Sequence, residues 1–394
     1  MQQHQRTMLP PPDAVSAAHS AKVEDFIRTQ IAVNGGSISF AEFMQHALYA
    51  PGLGYYAAGA IKFGESGDFV TAPEVSTIFG SVLARQCAEV LDGIDDGAVL
   101  EYGAGSGKLA ADLLLKLEEL GALPSRYDIV EVSADLAERQ KRYLGERIPD
   151  LLPMIRWLRQ PPKKHSGVIV ANEVLDALPV ERFLRASDDV RQLRVMADDA
   201  AFHLVDVDAP ANLLSAVKVI EEQLGERLPG GYVSEISLGA PGWIADIAEQ
   251  LQEGVALLWD YGTSRREYYA ADRSGGWLRC HFRHRAHSDP LILAGIQDLT
   301  AWVDFTAAAE AAVAAGLDIA GYATQAEFLL GGGLELELAE FAELPTAAQI
   351  ELSRQVKMLT LPGEMGEHFK CMALRRGDVP VPSAFRYADR THAL

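Results

Sequence analysis

The chain has 394 residues, with 55 Asp and Glu against 35 Lys and Arg, which gives a formal charge of −20 at pH 7. This balance argues against a nucleic acid as the main partner, because binding to phosphates needs clustered Lys and Arg. The sequence has no run of about 18 uncharged apolar residues, so we predict no membrane-spanning helix and no membrane partner.

The cysteines and the two ends of the chain carry further expectations. Cys87, Cys280 and Cys371 lie far apart, which fits neither a disulfide framework nor a zinc ribbon. We therefore expect a reducing compartment and predict a cytoplasmic location. Residues 1–20 lack the basic and apolar segments of a secretory signal and are predicted to be a disordered tail. Residues 381–394 are predicted to be a C-terminal tail.

Helices are the first elements predicted along the chain. Val23 to Tyr49 and Val75 to Leu91 both have helical patterns. They belong to a predicted N-terminal helical region, residues 21–92, which also contains the loop sequence GDFVTAPE.

From residue 93 to residue 380, strand-like apolar runs alternate with helix-like runs, the pattern of a parallel sheet with crossover helices. The predicted strands are Ala98 to Gly103, Arg126 to Val132, Met154 to Leu158, Gly167 to Val174, and Val255 to Gly262. The predicted helices are Lys108 to Leu120, Ala134 to Leu144, and Trp243 to Gln252. We therefore predict an α/β fold with a mostly parallel, Rossmann-like sheet.

Two insertions are predicted within this region, at about residues 181–210 and 265–360. The first has short alternating strands and Asp-rich turns, which predict an antiparallel insertion. A late strand over residues 368–377 is expected at an edge of the main sheet.

The first predicted strand runs into a glycine-rich turn, in the sequence VLEYGAGSGKLAAD. Gly103, Gly105 and Gly107 are spaced G-x-G-x-G, and Glu101 comes two residues earlier. A dinucleotide site has G-x-G-x-x-G, which places a pyrophosphate at the helix N-terminus. The observed spacing suits a nucleoside that carries an amino-acid tail, and it resembles the first motif of class I S-adenosylmethionine methyltransferases. The alternative is a tight strand-to-helix turn that binds no ligand.

Acidic residues follow two other predicted strands. Glu131 ends the second strand, where an open α/β sheet presents a carboxylate to ribose hydroxyls; the alternative is a helix cap or a solvent-facing acid. Asn172, Glu173 and Asp176 emerge at the end of the fourth strand, in ANEVLDALP, beside the expected position of a reacting methyl group. The alternative there is a helix N-cap at Asn172, with both acids on a solvated first turn. In the fifth strand, Asp260 and its neighbour Tyr261 have a weaker claim on the same pocket.

Residues 279–290, RCHFRHRAHSDP, contain three histidines spaced by three. Neither the Cys nor the His spacing matches a zinc pattern, so we predict no metal site. The segment is predicted to be an irregular basic loop. Such a loop would contact the substrate or a partner subunit, or its arginines would pair with acids of the chain.

From about Ile38 to Leu374 the chain resembles the MidA family of class I methyltransferases, which includes mitochondrial complex I assembly methyltransferases. The most specific motifs are GDFVTAPE and ANEVLDALP, and LEYGAGSGKLAADLL, IVEVS and GIQDLTAWVDFT follow the family order. The resemblance implies S-adenosyl-L-methionine as methyl donor. For the mitochondrial members it implies methylation of an arginine in a respiratory-complex subunit.

The resemblance also implies roles for single residues at the donor site: Gly103, Gly105 and Gly107 against the methionine tail, Glu131 at the ribose, and Asp68 with Thr71 closing over the donor. Ala104 and Val132 stand where the family often has proline, which only loosens the local backbone.

If the acceptor is an arginine, Glu173 and Asp176 could hold its guanidinium by bidentate pairing. We therefore predict a protein arginine methyltransferase whose substrate presents a basic segment. A small-molecule methyltransferase of the same fold and a non-catalytic assembly factor are the alternatives, and the acidity of the chain could serve solubility alone.

Overall fold

The computed structural model describes residues 9–58 and 71–394, and the chain forms two compact units. Unit 1 contains Met1–Phe69, Ala177–Gly239 and Arg266–Trp302, and unit 2 contains Val70–Asp176, Ala240–Arg265 and Val303–Leu394. Each unit is therefore assembled from three separate stretches of sequence. The predicted N-terminal helical region, residues 21–92, is divided between the two units near residue 70.

The described residues form strands and helices with the following bounds. The strands are β1 (Ile38–Ser39), β2 (Ala98–Tyr102), β3 (Tyr127–Val130), β4 (Ile155–Leu158), β5 (His165–Asn172), β6 (Glu181–Arg185), β7 (Val190–Ala197), β8 (Phe202–Asp208), β9 (Tyr232–Ile236), β10 (Leu251–Thr263), β11 (Arg279–Phe282), β12 (Arg285–His287), β13 (Asp298–Thr300), β14 (Val303–Asp304), β15 (Asp318–Thr324) and β16 (Phe369–Arg376). The helices are α1 (Ala14–Val33), α2 (Phe40–Tyr49), α3 (Ala72–Val75), α4 (Thr77–Leu91), α5 (Lys108–Glu119), α6 (Ala134–Arg147), α7 (Ala211–Leu224), α8 (Ala240–Gln250), α9 (Arg265–Tyr268), α10 (Phe305–Ala314), α11 (Gln325–Gly331), α12 (Leu334–Glu337), α13 (Thr346–Thr360) and α14 (Met365–His368).

Unit 2 is organised around one large sheet. Its strands lie in the order β15-β16-β10-β5-β2-β3-β4, and β14 pairs with the end of β10. The five strands from β10 to β4 pair in parallel, whereas β16 is antiparallel to both of its neighbours. The predicted α/β fold with a mostly parallel sheet is confirmed.

The strand predicted over residues 368–377 exists as β16, but its expected position at a sheet edge is wrong. It pairs with β10 on one side and with β15 on the other. The first six residues of β16 are all buried, as expected for a strand covered on both faces. Its outer neighbour β15 falls inside the insertion predicted over 265–360.

Helices α5 and α6 follow β2 and β3 and begin where the sequence predicts. α5 buries an apolar stripe that includes Leu109, Leu113 and Leu117. α6 begins after Ser133, whose Oγ accepts a hydrogen bond from the N–H of Leu136 at 3.4 Å. These helix starts fix the chain at the carboxyl ends of the two strands.

Unit 1 contains the antiparallel insertion predicted at about residues 181–210. β6, β7 and β8 pair in succession, while β9 pairs with β6 and β1 with β7. The helix predicted from Val23 to Tyr49 is two helices, because the chain reverses at Gly35 and Gly36, with φ of +76° and +97°. Ser39 then starts α2 through a capping box with Glu42.

The described parts of both predicted tails contain regular turns of helix. α1 begins at Ala14 because Asp13 accepts hydrogen bonds from the N–H groups of Val15 and Ser16, at 3.0 and 2.9 Å. Near the other end, residues 383–386 and 391–393 form short 3₁₀ helices.

Residues 279–287 form a β-hairpin, and the prediction of an irregular loop is wrong for them. β11 and β12 are joined through Arg283 and His284, whose φ angles of +50° and +60° fit a tight hairpin turn. Arg283 forms an ion pair with Asp13, which agrees with structural pairing of these arginines. In residues 9–58 and 71–394, no group of three or more His, Cys, Asp or Glu is arranged to hold a metal ion.

Candidate functional site

The glycine turn joins the end of β2 to the start of α5. Gly103, Gly105 and Gly107 have φ of +64°, +55° and +87°, a region that side chains disfavour. Gly103 and Gly105 are exposed, and a Cβ atom built on Gly105 would meet no protein atom within 4 Å. The turn therefore presents bare main chain to open space, as the approach of a ligand requires.

Glu131 lies just beyond β3 and is 8% exposed. Its Oε1 accepts a hydrogen bond from the N–H of Ser133 at 2.8 Å, and its Oε2 accepts one from Nε2 of Gln140 at 3.1 Å. Burial raises the pKa of Glu131, and these two donors oppose that effect. Since a carboxylate has about four acceptor positions, Glu131 retains capacity for hydroxyl donors.

Gln140, which the sequence prediction missed, links Glu131 to the glycine turn. Its Nε2 also donates to the carbonyl oxygen of Gly105 at 3.0 Å, and its Oε1 accepts from Nε1 of Trp157 at 3.0 Å. The sequence did contain a signal for Gln140. It lies four residues before Leu144 in α6, so both side chains lie on the same, buried face of the helix, where a polar residue needs a partner.

Glu101, in β2, is 2% exposed and accepts a hydrogen bond from the hydroxyl of Tyr127 at 2.8 Å. Burial raises the pKa of Glu101 from 4.5 to about 7; the Tyr127 hydrogen bond opposes this shift and the charge of Glu131 adds to it. The side chain of Glu101 is thus held inside the sheet by Tyr127 of β3, two residues before the glycine turn begins.

The raised pKa of Glu101 predicts a pH-dependent stability. Between its ordinary and its folded pKa the folded state holds a proton that the unfolded state has released, so stability falls as pH rises through this window. From about pH 5 to about pH 8, the unfolding free energy of the wild type should fall by about 3 kcal/mol relative to Glu101→Gln. Denaturant titration of both proteins at each pH measures the difference, and parallel pH curves would contradict the assignment.

The segment before α4 contacts the glycine turn through one side chain. Glu74, in α3, accepts a hydrogen bond from the hydroxyl of Ser106, which lies between Gly105 and Gly107, at 2.5 Å. Thr71 is half-buried at the N-cap position of α3, three residues before Glu74. Asp68, the other residue predicted to close over the donor, lies outside the described residues.

The turn after β5 carries the predicted acceptor residues. Glu173 has a φ of +54°, and its N–H donates to the carbonyl oxygen of Trp259 at 2.8 Å. Residues 173–180 form bends and a turn, so the alternative of a helix capped by Asn172 is wrong. Instead, Nδ2 of Asn172 donates to Oε1 of Glu173 at 3.4 Å.

Two buried carboxylates lie beside Glu173. Asp176 is 3% exposed, and Asp260, in β10, is fully buried. Burial raises the pKa of Asp260 well above its ordinary value, and the charges of Asp176 and Glu173 raise it further. We call Glu173, Asp176 and Asp260 the acidic cluster; a bound cation would relieve the repulsion among these carboxylates.

The acidic cluster and the glycine turn are neighbours in unit 2. β2 and β5 pair side by side, and a Cβ atom built on Gly103 would lie 3.6 Å from Cγ2 of Val174. Both turns follow the carboxyl ends of their strands, the edge at which open α/β sheets bind ligands. The structure therefore brings together the glycines and the predicted acceptor residues.

A separate groove of about 720 Å³ runs beside α4 and α12, and its lining includes Arg85, Glu89 and Ser383. Two of its charged groups already have partners: Arg85 pairs with Glu337, and Glu89 accepts hydrogen bonds from Ser383. We therefore assign the candidate site to the strand ends and not to this groove.

Sequence comparison identifies a family and several relatives. Residues 82–323 match the model of a family described as "Putative S-adenosyl-L-methionine-dependent methyltransferase". A relative from Mus musculus, named protein arginine methyltransferase NDUFAF7, mitochondrial, is 31% identical, and the match covers 86% of this chain and 81% of the relative. Its Drosophila melanogaster homolog is 30% identical over 93% of this chain and 88% of that protein.

Structural comparison gives a closely similar solved protein. A crystal structure from Burkholderia thailandensis, bound to S-adenosyl-homocysteine, is 40% identical, with a TM-score of 0.91. The match covers 98% of this chain and 100% of that one.

The prediction of a cytoplasmic location is wrong, because these Mus musculus and Drosophila melanogaster relatives are named as mitochondrial proteins. All three cysteines are buried and free. Free cysteines do not distinguish one reducing compartment from another. Within the described stretches, no helix is both long enough and apolar enough to cross a membrane.

Proposed function

The chain belongs to this family of S-adenosyl-L-methionine-dependent methyltransferases, and we propose that it methylates an arginine side chain of a protein. The observation that carries the proposal is the acidic cluster beside the glycine turn, with Val174 as the contact between them. The names of the Mus musculus and Drosophila melanogaster relatives support arginine as the acceptor.

We propose that the donor lies along the glycine turn. Gly103, Gly105 and Gly107 would border its methionine tail, and Glu131, held by Gln140, would accept hydrogen bonds from its ribose hydroxyls. The open space at Gly105 and the free acceptor capacity of Glu131 support this fit. Glu101 would support the turn, and Thr71 would cover the donor from the side of α3.

When bound, the donor supplies an electrophilic methyl group on a sulfonium. Glu173 and Asp176 would grip the acceptor guanidinium through two oxygens and so orient one nitrogen for in-line attack. Asn172 would steady Glu173 through its amide. As the nitrogen–carbon bond forms and the carbon–sulfur bond breaks, the nitrogen loses a proton, which the carboxylate of Glu173 or Asp176 can accept.

The charge of the protein supports a basic acceptor segment. A net charge of −20 attracts a chain rich in Lys and Arg over long range, and buried carboxylates favour a cation over a neutral nucleophile. If the acidity served solubility alone, added salt would not change the Michaelis constant for the acceptor.

Transfer from isotope-labelled S-adenosyl-L-methionine into a mitochondrial extract tests the function. We expect mass spectrometry to find the label on arginine side chains of a protein. A synthetic peptide around the labelled site should accept the methyl group, and its Arg→Lys counterpart should not. Label found only in small molecules, or on other side chains, would contradict the proposal.

A further inference from the structure

The side chain of Asp260 contacts main-chain groups of residues 173–176, the turn after β5 that we call the acceptor turn. Its Oδ2 accepts hydrogen bonds from the N–H groups of Leu175 and Asp176, at 2.9 and 3.1 Å. Its Oδ1 accepts from the N–H of Tyr261 at 2.9 Å. One buried carboxylate therefore satisfies three backbone donors, two of which belong to a turn more than eighty residues earlier in the chain.

These contacts restrain the turn on both sides of Val174. Before it, the N–H of Glu173 is held by the carbonyl oxygen of Trp259; after it, Leu175 and Asp176 are held by Asp260. Both anchors come from adjacent residues of β10. The left-handed backbone at Glu173 is a conformation that persists only where the surroundings enforce it.

We propose that Asp260 is a positioning residue for methyl transfer: its carboxylate holds the turn 173–176 so that Glu173 and Asp176 face the acceptor nitrogen. Asp260 itself does not touch the acceptor in this arrangement. The inference rests on the proposed function, because it concerns the orientation of the acids assigned there to the guanidinium.

The three hydrogen bonds explain why a carboxylate is needed at this position. An asparagine has nearly the same volume, but it offers one acceptor oxygen and one N–H₂ group. In Asp260→Asn, an N–H₂ group replaces one of the two carboxylate oxygens. This group must face either the N–H of Tyr261 or the N–H groups of Leu175 and Asp176, and two donors cannot form a hydrogen bond. The acceptor turn should therefore shift, whereas the packing of the surrounding sheet should be kept, because Asn has nearly the volume of Asp.

The test compares Asp260→Asn with Asp128→Asn. Asp128 is also fully buried, in β3 of the same sheet, but its oxygens pair with the side chains of Arg126 and Arg156. We expect kcat of Asp260→Asn to fall by about 100-fold, since a misplacement of about 1 Å can have that effect. Its dissociation constant for S-adenosyl-L-methionine should stay within about threefold of wild type, since the glycine turn is unchanged. Asp128→Asn should lower the melting temperature and keep wild-type kcat.

Hydrogen exchange gives a readout that needs no acceptor. In Asp260→Asn, the amides of Leu175 and Asp176 should lose protection, whereas those of α5 should keep theirs. Three results for Asp260→Asn would each overturn the inference. They are unchanged protection of these amides, a wild-type kcat, and a loss of kcat matched by an equal loss of donor affinity. If the wild type methylates no arginine, the proposed function fails and this inference fails with it. If the wild type is active and Asp260→Asn is equally active, only this inference is overturned.

Discussion

Gly105→Val is expected to lower the affinity for S-adenosyl-L-methionine by at least about 100-fold, because a branched side chain would occupy the space of the donor. In the free protein a Cβ at this position meets no atom within 4 Å, so the side chain would not be excluded by the protein itself. Calorimetric titration with the donor and with S-adenosyl-homocysteine measures the effect. Both ligands should lose affinity together, since each carries an amino-acid tail that would lie against the glycine turn.

Gly121→Val is the matched control for this substitution. Gly121 has a φ of +65°, close to the +55° of Gly105, and its Cβ would also meet nothing within 4 Å. It lies after the C-terminal end of α5, whereas the glycine turn lies at the N-terminal start of that helix. Both variants should lose a similar stability from backbone strain, about 1–3 kcal/mol. Wild-type donor affinity in Gly105→Val would remove the glycine turn from the donor site.

Glu173→Gln and Asp176→Asn are each expected to reduce kcat by about 100-fold or more while leaving donor affinity nearly unchanged. Both changes keep side-chain volume and remove a charge that would orient the guanidinium and take up its proton. The effect belongs to the transition state, in which nitrogen and methyl group must be aligned. Single-turnover transfer from prebound donor measures the chemical step without product release.

Glu337→Gln is a control for loss of a carboxylate elsewhere in unit 2. Glu337, in α12, pairs with Arg85 at 2.7 Å and with Lys116 at 3.2 Å. This variant should lose some stability and keep the wild-type transfer rate. Wild-type rates in both Glu173→Gln and Asp176→Asn would show that neither acid holds the acceptor, and a charge-independent pocket would then have to be considered.

Local sequence was sufficient for the features that depend on short-range rules. The strand–glycine–helix pattern around Gly103 to Gly107 predicted β2, the turn and α5, because apolar periodicity and glycine spacing act within a few residues. The end of β3 and Glu131 followed from the same reasoning. The roles of these residues in binding the donor stay predictions.

Other features depend on contacts between residues far apart in sequence. The apolar pattern of β16 predicts a strand but does not say which strands lie beside it. Its position between β10 and β15 could therefore not be predicted from its own sequence. β15 was missed because its sequence, DIAGYAT, starts with an exposed Asp and has no long apolar run. The contacts of Asp260 with Leu175 and Asp176 bridge more than eighty residues, so no local motif reports them.

The interior position of β16 has a consequence for biosynthesis. Every other strand of the large sheet leaves the ribosome before β16, yet one edge of β10 and the facing edge of β15 have no partner until β16 lies between them. During translation both strands therefore have an open hydrogen-bonding edge, which is a template for pairing with other chains. Because β10 also carries Asp260, the acceptor turn is anchored to a strand whose own edge stays open until the sheet closes. A nascent chain paused before residue 369 would be expected to depend on chaperones that cover such edges.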